Sequence, residues 1–157
     1  MKVRLYAICT AAFVAVAATG YFFGHESAPA VVNDISCNAD LNISVDDLYL
    51  TGVMKFRAAN GHGVMLINGS YPRTAGGSGV INRKVFFGYS HYGITLNLTS
   101  NKVDVLPSDT ANERELAILL PKFFYTPDIS HNFGVYRQGQ GYIFAGTAVP
   151  FVFCLKS

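Results

Sequence analysis

The chain has 157 residues, half of them hydrophobic, and a formal net charge of +2. Of its 12 Lys and Arg only Lys2 and Arg4 precede residue 24, and the other ten are cancelled by ten Asp and Glu. A body so evenly charged lacks the basic face that nucleic-acid binding requires, and roughly 130 residues suffice for one domain with a real core.

Leu5 to Phe23 is a run of 19 residues without a charge. As a helix it reaches about 28 Å, the thickness of a bilayer's hydrocarbon core. Tyr6, Tyr21, Phe22 and Phe23 stand at its two ends, where aromatic side chains favour the interface. Lys2 and Arg4 precede it, so the positive-inside rule keeps the N-terminus cytoplasmic and exports the rest. Residues 1–24 therefore read as a cytoplasmic stub and a single transmembrane anchor, 25–36 as a spacer and 37–157 as a β-rich exported domain. A cleaved signal peptide is the alternative: Ala28-Pro29-Ala30 resembles a cleavage site, although the apolar run exceeds the usual h-region of about 7–15 residues.

Cys9 lies inside the apolar run and reads as a small membrane residue. Cys37 and Cys154 stand at the two ends of the exported domain, and in an oxidising compartment they most simply pair. Such a bridge ties the first strand to the last, and chain entropy puts its worth at about 4–5 kcal/mol.

Between the cysteines the dominant period is two. Leu41, Ile43 and Val45 alternate with Asn42 and Ser44; Met54, Phe56 and Ala58 alternate with Lys55 and Arg57. Val64 to Ile67 is a short apolar run between glycines. Ile81, Val85, Phe87 and Tyr89 share one face of the next strand, with Arg83 among them. Ile94, Leu96 and Leu98 alternate with Thr95 and Asn97, and Val135, Tyr142 to Ala145 and Phe151 to Leu155 complete the set. Asn60-Gly61, Asn68-Gly69, the glycines from Gly76 to Gly79 and the Gln-Gly pairs at 138–141 mark turns. One segment differs: Thr110 to Glu113 reads as a capping box, Asp109 and Glu115 add negative charge near the helix start, Leu116, Leu119 and Leu120 form one face, and Pro121 ends it. The fold class is α+β, mainly β. Seven or eight antiparallel strands form a barrel or curved sheet, with one helix before the last three strands covering an edge or an open end.

Motifs for chemistry are absent. Neither H-E-x-x-H nor G-x-S-x-G occurs, Gly76-Gly77-Ser78-Gly79 lacks the ending of a phosphate loop, and Asp46-Asp47 would point to opposite faces of a strand. No catalytic residue, cofactor or metal site is expected. The four histidines have no metal-ligand spacing, and read as exposed or turn residues. The functional reading of two of them, His91 and His131, is pH sensing, since protonation near pH 6 takes the exported body from neutral to about +4. Aromatic residues crowd the second half, and most must be core. Phe87, Tyr89, Phe124, Tyr142 and Phe144 are candidates to hold an amphipathic small molecule inside a barrel, or to form an apolar edge that a partner chain completes.

Gly63-Val-Met-Leu-Ile-Asn-Gly69, Val80-Ile-Asn-Arg-Lys-Val-Phe-Phe-Gly-Tyr89 and the ending Tyr142-Ile-Phe…Pro150-Phe-Val-Phe-Cys154 resemble the FidL-like proteins of enteric bacteria, a looser set with ToxS-like and PsaF/MyfF-like proteins. The resemblance implies a small inner-membrane protein with a periplasmic domain. That domain would bind and stabilise the periplasmic domain of a ToxR-like, single-pass winged-helix transcription regulator, and help it answer an environmental cue such as acid pH or a bile-like ligand. It also implies a lipocalin-like barrel and no catalytic residues. The residues by themselves leave a second function open, that of an autonomous ligand- or protein-binding module.

Overall fold

A computed structural model describes residues 34–73, 76–146 and 150–157. They belong to one compact unit, Val31–Ser157. The expected anchor at 5–23 and the cleavage-site reading at 28–30 lie outside the described residues. Among those described, no helix is long and apolar enough to cross a membrane.

Eight strands form a closed antiparallel barrel, each paired with the next in sequence: β1 (Ile35–Val45), β2 (Leu48–Ala59), β3 (His62–Pro72), β4 (Ser78–Tyr92), β5 (Thr95–Val105), β6 (Ser130–Gln138), β7 (Gly141–Ala145) and β8 (Pro150–Lys156). The period of two sets the walls. Leu41, Met54, Phe56, Ile67, Ile81, Val85 and Leu98 point inward and are buried, while their polar neighbours face out. β1 begins two residues inside the expected spacer, because Ile35 is already an inward, buried position.

An even number of strands brings the chain back to the end at which it enters. Asp34, the Asn60-Gly61 turn, the β4–β5 turn at Gly93, the β6–β7 turn at Gly139 and the C-terminal residues mark this entry end. Asn60 and Gly61 both have positive φ, as the tight hairpin requires. The Asp46-Asp47 turn, the β3–β4 turn and the long connection from β5 to β6 mark the other, crossover end.

Asn68-Gly69 is not a turn. It lies within β3, and Gly69 faces Gly52 of β2. A Cβ on Gly52 would stand 2.3 Å from the Asn68 carbonyl oxygen, so both glycines serve close approach of two strands rather than a change of direction.

The helix, α1 (Glu113–Leu119), is where the connection from β5 to β6 departs from expectation. Its cap is Asn112, whose side-chain oxygen accepts from the Arg114 N–H at 2.9 Å. Thr110 instead continues the sheet: its N–H donates to the Val80 carbonyl, and its hydroxyl accepts from the Val80 N–H. Asp109 faces Arg83 rather than the helix dipole. Leu116, Leu119 and Leu120 are buried, α1 packs on β1 and β2, and a 3₁₀ turn at Lys122–Phe124 packs on β5.

Closure is uneven. β1 and β2 share eleven register pairs, whereas β1 and β8 share two, Cys37↔Lys156 and Asn38↔Leu155. The expected disulfide reinforces this seam from inside: Cys37 and Cys154 are bonded, with Cα atoms 5.4 Å apart and both residues buried.

Candidate functional site

The aromatic residues singled out in the sequence sit mainly in the core. Phe56 lies between Phe87 and Phe144, with ring centroids 5.2 and 4.9 Å away. Phe124 packs on Phe151 at 5.6 Å and edge-on to Phe123 at 5.4 Å. Tyr142 is buried on β7 opposite Cys154, and Tyr89 is half-buried against Phe87. At such distances the rings are one another's partners.

His91 and His131 stand on the two strands flanking β5, opposite Leu96 and Leu98. His91 is exposed near the entry end, beside Asp34, Asn60, Gly61 and Tyr89. His131 is half-buried, edge-on to Phe133 at 4.5 Å and tilted over Phe123 at 6.4 Å. Burial alone pushes its pKa below the ordinary value.

A buried polar cluster fixes the crossover. The Arg83 guanidinium donates through Nε and Nη2 to the two oxygens of Asp109, at 2.9 and 3.3 Å. The same carboxylate accepts from the N–H groups of Asn82 and Ala111. Burial works to raise the Asp109 pKa, but the Arg83 and backbone hydrogen bonds outweigh it and hold the carboxyl below its ordinary range. Four hydrogen bonds occupy this carboxylate, which suits a structural anion and not a general base. Close by, the Tyr71 hydroxyl accepts from the Asn112 N–H at 2.8 Å; burial, with the Glu115 carboxylate alongside, pushes its pKa up. Arg73 donates to the Thr110 carbonyl. Sequence reasoning places Arg83 on an apolar inward face and misses its partner. The signal is there, since a cation on such a face demands an anion.

The outside of the seam has another character. Tyr136 of β6 stands opposite Ile143 of β7, and Ile143 opposite Phe153 of β8. Across the seam, Asp40 of β1 stands opposite Val53 of β2. Phe153 and Leu155 are 45% and 55% exposed, and Tyr136 and Val53 are similarly open. A groove of about 590 Å³ lies over β8, β1 and β2, with Phe153, Leu155 and Val53 as its apolar walls and Asp40, Lys55 and Lys156 as its polar margin. Its apolar side chains stand side by side in solvent with charged groups at their margin. Among the described residues no group of three or more His, Cys, Asp or Glu is placed to hold a metal ion.

A family model described as the YqeJ C-terminal domain matches residues 34–154, from the residue before β1 to the second cysteine of the disulfide. No curated protein and no solved structure shows significant similarity.

Proposed function

We propose that this chain, which belongs to the YqeJ C-terminal domain family, is a membrane-anchored co-regulator whose barrel binds the extracytoplasmic domain of another membrane protein. The observation that carries the reading is the exposed apolar groove over the barrel seam, at Val53, Phe153 and Leu155. Two sequence features support it: the uncharged run from Leu5 to Phe23, and the resemblance to FidL-like and ToxS-like proteins. In this reading the partner is a ToxR-like regulator with one membrane span and a cytoplasmic winged helix. The groove holds the partner's domain, and the pairing protects that regulator from proteolysis. The site is the bacterial inner membrane, with the barrel in the periplasm. The cue is acid pH, for which half-buried His131 is the receptor, or an amphipathic molecule.

The test is crosslinking of tagged full-length protein in its native membrane, followed by mass spectrometry. The expected result is one dominant partner carrying a cytoplasmic DNA-binding domain, lost on Phe153→Ser/Val53→Ser while the barrel's melting temperature holds. Recovery of no membrane regulator overturns it. Closure of the barrel within one chain favours a second reading, an autonomous binding module. A purified barrel that binds a small molecule tightly without any partner would establish that instead.

A further inference from the structure

The entry end of the barrel differs from the crossover end in charge and in texture. The crossover end is mixed: Asp46, Asp47, Asp104, Asp109, Glu113 and Glu115 stand there with Arg73, Arg83, Lys102, Arg114 and Lys122, and two of the acids are ion-paired. At the entry end Asp34 is accompanied by Arg57, Arg137 and Lys156. The β4–β5 hairpin that projects there carries no Asp, Glu, Lys or Arg from Val85 to Asn101. Its tip bears two apolar side chains open to solvent, Tyr92 at 91% and Ile94 at 40%. Tyr92 ends β4 and Thr95 opens β5 opposite it, so both apolar side chains flank the left-handed Gly93 of the two-residue turn. The tip adjoins the point where the chain enters the barrel: Asp34 lines one depression with Asn60, Gly61, Tyr89, Ser90 and His91.

We infer that the hairpin tip Tyr92–Ile94 seats in the interfacial layer of the bilayer that the chain's own N-terminal run enters. The inference rests on the proposed anchor. Residues 24–33 separate the apolar run from Asp34, and ten residues span at most about 36 Å when extended. The tether keeps the entry end within reach of the surface, and a weak contact at high effective concentration then suffices. Tyrosine suits the headgroup layer, with an apolar ring and a polar hydroxyl. The entry end carries Arg57, Arg137 and Lys156 against Asp34, and this excess of cations favours anionic headgroups.

The chain contains no tryptophan, so one substitution gives a unique probe. Full-length Tyr92→Trp is reconstituted into phosphatidylethanolamine/phosphatidylglycerol vesicles, with or without brominated acyl chains. Tyr49→Trp, an exposed site at the start of β2 on the crossover end, is the control. The expected result is about twofold quenching of the Tyr92→Trp indole by the brominated lipid, as for an interfacial side chain, and unchanged emission from the Tyr49→Trp control. Flotation with the vesicles but an unquenched Tyr92→Trp probe overturns the inference and leaves the anchor standing, and points to a protein partner at the tip. Equal quenching of both probes overturns it as well. Failure to float overturns the anchor and the inference together.

Discussion

Arg83 and Asp109 show what a single inward charge demands. Their side chains are 4% and 2% exposed, so neither charge has water in place of its partner. Arg83→Met leaves the buried carboxylate without its counter-ion, held only by the Asn82 and Ala111 N–H groups, and should cost about 3–5 kcal/mol, measured by urea unfolding. Arg83→Met/Asp109→Leu should recover most of that loss, because an apolar pair of similar volume removes the stranded charge. The folded-state pKa of Asp109 is depressed, so its contribution is present above the ordinary value of 3.8 and is lost as pH falls through the folded one. His131 works at higher pH and in the same direction. Its pKa is lowered from 6.5, so the unfolded chain binds a proton before the folded one does. Stability should fall as pH drops below 6.5 and level off once the folded form also protonates. Melting curves from about pH 7.5 to about 4.5 should show this for the native protein and a flatter profile for His131→Gln. An unchanged profile would remove His131 as the acid-sensitive group.

Among the elements, strands were legible and the helix start was not. Alternation of polar and apolar residues is a local signal that tertiary packing reinforces, and Leu41, Met54, Phe56 and Leu98 all face inward as it predicts. The cap was misplaced because Thr110 and Asp109 satisfy a capping pattern in sequence, while in space one bonds to Val80 and the other to Arg83. Asn68-Gly69 misled in the same way, as the sequence cannot distinguish a glycine needed for positive φ from one needed for close strand approach. The apolar groove was illegible: Val53 and Phe153 are a hundred residues apart, and closure alone brings their strands together. The aromatic residues read as candidate ligand contacts pack mainly in the core, and periodicity does not separate a packed interior from a hollow one. The seam also sets the stability of the element array. With two register pairs and one disulfide joining β1 to β8, reduction should lower stability by about 4–5 kcal/mol. Thermal melts with and without reductant check this, and equal melting temperatures would contradict it.

At the scale of the whole molecule the barrel has distinct faces: an apolar groove along the seam, a crossover end of mixed charge and a cationic entry end with a projecting apolar tip. The groove and the tip are different surfaces, so the proposed protein partner and the proposed bilayer contact do not compete. The disulfide adds a property that no face carries. Its two cysteines are 117 residues apart, and Cys154 lies on the last strand of the barrel. A chain that stops short of residue 154 leaves Cys37 without its disulfide partner beside an unclosed β1. The bond therefore forms only in a chain whose last strand is present, and it records that the barrel's two ends have met.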